Sequence, residues 1–529
     1  MRHRRAAAFL LVALLLASAA PPARASADVP PAAFADPARR AKLIAALPEV
    51  EKAIAASAAT EKFPGAAAGL VVDGELVWAK GWGERAPGGA APDLDTVFRI
   101  ASMSKSFTAL AILKLRDEGK LSLEDAAQKW VPELAGMPKA TKDSPEITIR
   151  HLLTHSEGFP EDNPWGDRQL GRSDAFLAAM VRAGVPFSNA PGVAFEYSNT
   201  GFALLGRVVS KASGMRYRDY VDASILKPLG MTSTYWEASA VPKERLAAGL
   251  RLVDEKDAKS AVVVAEAHLP DGAFGAMGGL YSTVRDLARY TAFLLSAWPP
   301  RDDADAGPVG RASLREMQQV ARYNGATVTP AAEGKPLRLA AGGYGYGLGA
   351  RTTCRFRHVV SHGGGLPGFG SLMLWLPEHG VALVGLANLT YAGWGGAFGD
   401  ALDALEKTGA LKPRVAQPSP ALLAAQAAVD RLYDAWDDAA FDALAADNLV
   451  LDKPREARRA AFADLKATHG VCRPGVIRAE NALRGAWTRA CDTGEITLRI
   501  TLAPTQPPKV QLLEAKPGPA RDPGEPCKP

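Results

Sequence analysis

Three serines alternate in the segment FRIASMSKSFTALAILKLRDEG (98–119), and a single lysine, Lys105, stands among them. If the segment is helical, Ser102 lies three residues before Lys105 and shares its face. A lysine enclosed in apolar surroundings loses affinity for its proton, so it can accept a serine hydroxyl proton and make that serine a nucleophile. A helix-capping serine beside an outward-reaching lysine explains the same residues structurally, and an edge strand also fits the alternation.

A tyrosine and an asparagine stand two positions apart in Tyr197-Ser198-Asn199, in a turn before an apolar helical segment. A buried phenol near a lysine can carry a proton to a leaving group, and an amide can orient a lysine and a substrate carbonyl. The motif therefore favours proton transfer and positioning. A turn tyrosine followed by a capping asparagine is the structural alternative.

Three glycines follow a histidine in His362-Gly363-Gly364-Gly365, where the flanking pattern predicts a strand. Glycines weaken the interior of a strand, so such a run indicates close approach of a ligand to the backbone. We therefore predict that this run contacts substrate.

His151 and His155 lie four residues apart in a helical pattern, a spacing that can chelate zinc. No glutamate stands between them as in H-E-x-x-H, and no third ligand is evident. None of the four cysteines forms a C-x-x-C pair. We therefore predict neither a metal nor a cofactor.

The first 25 residues have the pattern of a cleaved secretion signal, with a basic start, a short apolar run and Ala23-Arg24-Ala25 as a small-x-small site. We expect a periplasmic or secreted protein without a stable membrane anchor. The chain carries a net charge of +5, and arginines in this leader supply four of those charges. The remainder gives no reason to expect nucleic acid as a partner.

The elements around the motifs indicate a mixed fold, in a chain that is 47% hydrophobic and 22% charged and therefore able to form a large core. An apolar hairpin turns at 72–75, helical patterns fill the middle, and strands return at 344–388 before a helix at 397–407. Strands on both sides of a helical stretch predict one sheet whose ends pair, with an inserted helical subdomain. We place this domain at 26–410.

A Pro-rich linker at 411–420 precedes a small α+β domain at 421–516 and a polar tail at 517–529 that we expect to be disordered. The small domain loosely resembles cone-like domains related to nuclear transport factor 2, and no catalytic set is evident in it. Its first hairpin places Cys472 and Cys491 on opposite arms, so we predict a disulfide between them.

As a set, the motifs resemble the penicillin-recognising serine hydrolases related to class C β-lactamases, which include esterases, D-aminopeptidases and D,D-carboxypeptidases. The resemblance covers about 45–405 and rests on the segments FRIASMSKSFTA, ITIRHLLTHSEGFP, FEYSNTGFALLG, ILKPLGMTST, GGLYSTVRDLARY and HGGGLPGFGS. It implies an α/β (α+β) fold with a mainly antiparallel sheet flanked by helices, an all-α lobe, and a site between them.

The resemblance also implies roles for individual residues. Ser102 would be the acylated nucleophile and Lys105 its base, with Tyr197 as proton carrier and Asn199 as a positioning residue in the substrate-binding set.

His362 and Gly364 match the ends of the family's K-T-G motif, and the N–H groups of Gly365 and the nucleophile would form the oxyanion hole. The usual lysine of K-T-G is a permanent cation facing a substrate carboxylate, whereas an imidazole is mostly neutral at pH 7. The missing hydroxyl at Gly363 weakens carboxylate recognition further.

We therefore expect an exported serine hydrolase that forms an acyl-enzyme on Ser102 and acts on small esters or on D-amino-acid amides or peptides. The alternatives are a β-lactamase or D,D-carboxypeptidase, and a non-catalytic binding protein for cell-wall peptides. A second departure from the family, Ser156-Glu157 in place of Thr-Ser, leads to no prediction, and no oligomeric state is predicted.

Overall fold

The structure is a computed structural model that describes residues 29–253, 262–330 and 337–519. The predicted leader at 1–25 lies outside the described residues, as do residues 520–529 of the predicted tail. In the described part, no helix has both the length and the apolar character needed to cross a membrane.

The chain divides into two compact units, and the division falls between Val415 and Ala416, inside the segment predicted as a linker. The strands of the first unit are β1 (Gly65–Val72), β2 (Glu75–Gly83), β3 (Phe98–Arg99), β4 (Gly249–Val253), β5 (Val262–Glu266), β6 (Tyr281–Ser282), β7 (Arg322–Thr329), β8 (Arg338–Tyr344), β9 (Gly349–Thr353), β10 (Val359–Leu366), β11 (Phe369–Leu376) and β12 (Val381–Ala387).

Eight of these strands form one antiparallel sheet in the order β2-β1-β12-β11-β10-β9-β8-β7. The early strand β1 pairs with the late strand β12, with Gly69 opposite Val384. Every residue of both strands is buried, which is typical of a sheet covered on both faces. This pairing confirms the predicted sheet whose ends meet.

Helices cover the sheet and form the inserted lobe. In chain order they are α1 (Arg39–Ala45), α2 (Leu47–Thr60), α3 (Ser104–Asp117), α4 (Ile149–Leu153), α5 (Asn163–Gly166), α6 (Asp174–Ala183), α7 (Asn199–Ser213), α8 (Tyr217–Val221), α9 (Gly275–Gly278), α10 (Val284–Leu295), α11 (Arg311–Met317) and α12 (Gly395–Glu406). The chain breaks between α1 and α2 at Ala46, because Pro48 fits the first turn of a new helix better than the interior of one.

The two faces of the sheet pack into different cores because side chains alternate along a strand. In β1, Ala67 and Val71 join the core shared with α10 and the helical lobe. Their neighbours Ala68 and Leu70 join the core beneath α2 and α12. The first of these cores is continuous with α3 and α7, which carry Lys105 and Asn199.

The second unit combines four helices with an antiparallel sheet in the order β13-β15-β16-β17, with β14 beside β15. Its elements are α13 (Pro420–Asp434), α14 (Asp438–Leu444), α15 (Asp447–Asp452), α16 (Arg455–His469), β13 (Cys472–Pro474), β14 (Arg478–Asn481), β15 (Arg484–Cys491), β16 (Glu495–Leu502) and β17 (Val510–Pro517). Cys472 lies directly opposite Cys491 in the ladder, and a disulfide joins them.

Candidate active site

Ser102 lies in a tight 3-10 turn, Ala101–Met103, that leads into α3, so it precedes the α-helix rather than occupying its first turn. Ala101 has a φ of +49°, a left-handed conformation that costs a residue with a side chain about 1 kcal/mol. The neighbouring Ile100 N–H donates to the Leu280 carbonyl at 3.0 Å and anchors the turn. The chain thereby changes direction at the serine.

The other two serines of the alternation have structural partners. Ser104 Oγ accepts from the Leu280 N–H at 3.1 Å, while Ser106 Oγ donates to the Met103 carbonyl and accepts from the Tyr290 hydroxyl, both at 2.8 Å. Both serines are fully buried. Ser102 is therefore the serine of this alternation that faces Lys105.

Lys105 is fully buried, and its Nζ lies within hydrogen-bonding distance of three oxygens. These are Ser102 Oγ at 3.1 Å, Asn199 Oδ1 at 2.7 Å and the Met277 carbonyl at 2.9 Å. The two carbonyl oxygens can only accept hydrogen bonds. A neutral amine that donates to both of them keeps its lone pair for the serine hydroxyl.

The surroundings of Lys105 favour that neutral form. Burial lowers the pKa of its ammonium group to about 7, against an opposing influence from Asp167 and Asp162. Two aromatic rings lie beside the Nζ of Lys105, with the ring centre of Tyr197 at 4.8 Å and that of Phe202 at 5.6 Å.

Tyr197 stands beside the same pair. Its hydroxyl is hydrogen-bonded with Ser102, and burial raises the pKa of the phenol well above its ordinary value. The phenol therefore keeps its proton at neutral pH and can pass one on without becoming a stable phenolate.

The side chain and the backbone of Asn199 are fixed by residues that none of the sequence motifs includes. Its amide nitrogen donates to Asn163 Oδ1 at 3.0 Å, which turns its Oδ1 toward Lys105. The carboxylate of Asp162 accepts from the backbone N–H groups of Asn199 at 2.7 Å and Thr200 at 2.9 Å. This carboxylate satisfies free N–H groups at the start of α7.

The two histidines of the HLLTH segment do not share a helix face, because α4 ends at Leu153 and His155 has a φ of +53°. His155 Nδ1 accepts from the Ser198 N–H at 3.0 Å, and its ring lies 4.3 Å from that of Tyr197. His151 instead caps α4. Among the described residues, no cluster of three or more His, Cys, Asp or Glu side chains could hold a metal ion.

His362 lies on β10, and both ring nitrogens are engaged. Nε2 is 2.8 Å from the Tyr344 hydroxyl, and Nδ1 is 2.6 Å from the Gly363 carbonyl. Since that carbonyl can only accept, Nδ1 carries the proton and the phenol donates to Nε2. Burial, with a further contribution from Lys105, lowers the pKa of the imidazole to about 3. His362 is therefore neutral at pH 7.

Tyr344 is a site residue that none of the sequence motifs above includes. The segment GGYGYGLGA contained the signal, since aromatics between glycines at a strand end mark a surface that a ligand can approach closely. Tyr344 ends β8, and its ring centre lies 4.6 Å from that of His155.

The glycines of β10 allow close backbone packing at the site. A methyl group placed on Gly364 would lie 2.2 Å from the Ile100 carbonyl oxygen, so β10 passes directly against the turn that carries Ser102. One placed on Gly365 would lie 2.3 Å from the Tyr391 ring. Gly364 thus faces the serine turn, while Gly365 borders an open cavity.

The cavity has a volume of about 680 Å³ and is walled by the sheet and the helical lobe. Its lining includes Ser102, Tyr197, Tyr344, His362, Gly365, Asp167 and Tyr391. Asn199, predicted to bind substrate, is fully buried behind the serine and lies outside that lining.

A family model described as Beta-lactamase matches residues 50–407, which includes every candidate site residue named above. The chain belongs to the beta-lactamase family. This confirms the family indicated by the sequence motifs.

Several curated proteins resemble the chain over part of its length. "Penicillin-binding protein 4*" of Bacillus subtilis (strain 168) is 28% identical over 56% of this chain and 61% of its own. "Protein flp" of Staphylococcus aureus (strain COL) is 31% identical over 62% and 60%. "Beta-lactamase-like protein 2" of Dictyostelium discoideum is 36% identical over 44% and 42%. The chain thus spans less than two thirds of the length of each of these relatives.

A solved structure shares the fold. The octameric penicillin-binding protein homologue from Pyrococcus abyssi superposes with a TM-score of 0.53 at 24% identity, covering 90% of this chain and 96% of that chain. This match confirms the fold class inferred from the sequence, a mainly antiparallel sheet flanked by helices.

Proposed function

We propose that this beta-lactamase family member is an exported serine hydrolase that forms an acyl-enzyme on Ser102. The observation that carries the proposal is the arrangement of Lys105, whose two carbonyl acceptors leave its lone pair for the serine hydroxyl. Its substrates are small esters or D-amino-acid amides and peptides.

Acylation begins when Lys105 takes the hydroxyl proton of Ser102 and the serine oxygen bonds to the substrate carbonyl carbon. The carbonyl oxygen becomes an oxyanion, which the backbone N–H groups of Ser102 and Gly365 stabilise. The bond to the leaving group then breaks. The proton on Lys105 reaches the leaving oxygen or nitrogen through the Tyr197 hydroxyl, which stands beside the serine.

Deacylation reverses the proton path. A water molecule gives a proton to the same Tyr197 and Lys105 pair, attacks the acyl carbon and forms a second oxyanion. The bond to Ser102 breaks, the serine oxygen regains its proton, and the free acid leaves. The enzyme returns to its starting protonation state without any cofactor.

The substrate preference rests on His362. A pKa of about 3 means that this ring offers no positive charge to a substrate carboxylate at pH 7. Its Nε2 is also occupied by the Tyr344 hydroxyl. This supports esters and amides that lack a carboxylate over β-lactams and D-alanyl-D-alanine peptides, whose recognition depends on their carboxylates.

A substrate panel tests the proposal. We expect turnover of p-nitrophenyl acetate and D-alanine p-nitroanilide that exceeds turnover of nitrocefin. A fluorophosphonate probe should label Ser102 in the folded protein, and Ser102→Ala should lose both label and turnover. Fast nitrocefin hydrolysis without esterase activity would favour a β-lactamase instead, and an unlabelled Ser102 would favour a non-catalytic binding protein.

A further inference from the structure

A carboxylate that the mechanism does not use lines the catalytic cavity. Asp167 follows α5 in the helical lobe and is 3% exposed, yet it borders the same space as Ser102. Its Oδ2 accepts from the Tyr391 hydroxyl at 2.6 Å. Tyr391 follows β12, so a residue from the sheet side fixes the orientation of an acid from the helical side.

In residues 29–253, 262–330 and 337–519 no lysine or arginine forms an ion pair with this carboxylate, although the charge of Lys105 acts on it from a longer distance. Removing a charge from water is unfavourable unless an opposite charge or several hydrogen bonds compensate. Burial accordingly raises the pKa of the Asp167 carboxyl, while the hydrogen bond from Tyr391 and the charge of Lys105 lower it and the negative charges of Asp162 and Glu161 raise it further. A cation brought by a ligand would compensate the Asp167 carboxylate, which borders the cavity.

Few positively charged side chains are available to a ligand in the cavity. Lys105 is directed at its own three oxygens, and His362 is neutral. The exception is Arg168, whose exposed side chain lies at the rim. Charges exposed to water contribute at most about 1 kcal/mol to an ion pair. The buried carboxylate of Asp167, rather than the exposed guanidinium of Arg168, is therefore the stronger electrostatic partner for a ligand in the cavity.

The contacts of Tyr391 show where Asp167 lies relative to Gly365 and the proposed oxyanion hole. The ring of this tyrosine lies against Gly365, the proposed oxyanion donor, and its hydroxyl reaches Asp167. One tyrosine side chain therefore lies between Gly365, the residue that would hold the scissile carbonyl, and the acid. A substituent a few bonds from that carbonyl can reach the carboxylate.

We infer that Asp167 receives a positively charged amino group of the substrate, so that the enzyme selects esters or amides of compounds with a free amine near the scissile carbonyl. The inference rests on the proposed function, since it names the substrate class of the same site. Unsubstituted aminoacyl esters and amides are the simplest members of that class.

Paired substrates that differ in charge test this inference. D-Alanine p-nitroanilide at pH 7 is compared with its N-acetyl and N-succinyl counterparts, which are neutral and negative. We expect kcat/KM to be at least about tenfold higher for the free amine, the effect of one well-placed charge pair. Asp167→Asn keeps an acceptor for Tyr391 and should lower the free-amine to N-acetyl ratio toward one, mainly through KM.

Two further variants make the result specific. Arg168→Gln, the adjacent charge at the rim, should keep the ratio. Tyr391→Phe removes the hydroxyl that orients the acid and should lower the ratio, which provides a second test if Asp167→Asn is poorly folded.

The outcomes separate the inference from the proposed function. Equal turnover of the free and acetylated substrates overturns the inference while leaving the acyl-enzyme intact. Preference for the N-succinyl substrate, abolished by Arg168→Gln, also overturns it and assigns carboxylate recognition to the rim. Failure of the fluorophosphonate to label Ser102 instead overturns the proposed function.

Discussion

The Nζ of Lys105 lies 2.7 Å from Oδ1 of Asn199, and this contact ties the first turn of α3 to the first turn of α7. The amide of Asn199 is itself fixed by Asn163, so the lysine meets an acceptor whose orientation is set. The contact determines where the lysine lone pair points, and the behaviour of the site follows from it.

The rate should depend on the protonation of Lys105. A protonated lysine has no lone pair to accept the serine proton, so kcat/KM should rise with pH and level off above a midpoint near 7. Below that midpoint it should fall about tenfold per pH unit. A pH profile of p-nitrophenyl ester hydrolysis measures this. His362→Asn serves as the control and should keep the fall in kcat/KM below pH 7, because a pKa of about 3 prevents the imidazole from producing it. If the fall disappears in that variant, the assignment to Lys105 is contradicted.

A carboxylate at position 199 should move the midpoint of the same pH profile to a higher pH. Asn199→Asp places a negative charge beside the Lys105 ammonium and stabilises it, which should raise the midpoint by about one pH unit or more. Activity at pH 7 should then fall at least about tenfold and recover in part at pH 9. Asn199→Ala removes the acceptor without adding charge, so its losses should not recover at high pH. An unshifted midpoint in Asn199→Asp would show that the lysine is not the titrating base.

A cation at position 362 should change the substrate preference. His362→Lys restores the charge found in K-T-G proteins, so nitrocefin turnover relative to p-nitrophenyl acetate should rise about tenfold. The added charge should also lower the midpoint assigned to Lys105, because like charges disfavour each other. Neutral His362→Gln is the matched control. If His362→Lys leaves the ratio of nitrocefin to p-nitrophenyl acetate turnover unchanged, residue 362 does not determine the substrate preference.

Glu157 should make the folded protein less stable as the pH rises. It is fully buried, with Oε1 against Gly201, and burial raises its pKa well above the ordinary value. The folded state therefore keeps a proton that the unfolded state loses above about pH 4.5, so stability declines from there toward the raised pKa at about 1.4 kcal/mol per pH unit. Glu157→Gln removes that titration and should raise Tm at pH 7.5 by about 2 °C or more.

Thermal unfolding at pH 4 and at pH 7.5 measures the effect of Glu157→Gln. The gain should vanish at pH 4, where the glutamate is protonated in both states. The exposed Glu244→Gln variant should give no difference at either pH. Equal effects at both values would mean that packing rather than titration sets the contribution of Glu157.

Short spacings along the chain predicted much of the site. Ser102 and Lys105 meet because they are three residues apart at the start of a helix, and the apolar positions after them bury that helix on every side. The paired ends of the sheet were likewise visible as apolar strands on both sides of a helical stretch. Local periodicity carries such information because the backbone geometry of helices and strands is fixed.

Contacts between distant segments were not predictable in this way. Asp162 caps a helix that starts 37 residues later, and Tyr391 reaches an acid 224 residues earlier. Tyr344 and His362 meet across neighbouring parts of the sheet, which sets the imidazole tautomer. No local pattern encodes these pairs, because each depends on how separate elements pack.

The sequence by itself determined the family, the fold class and the candidate nucleophile and base, since these depend on residue types at fixed local spacing. Only the tertiary structure decided that Lys105 is buried among carbonyl acceptors, that His362 is neutral, and that Asp167 faces the catalytic cavity. Protonation and charge selection depend on burial and on neighbours from remote segments, and folding is what brings those neighbours together.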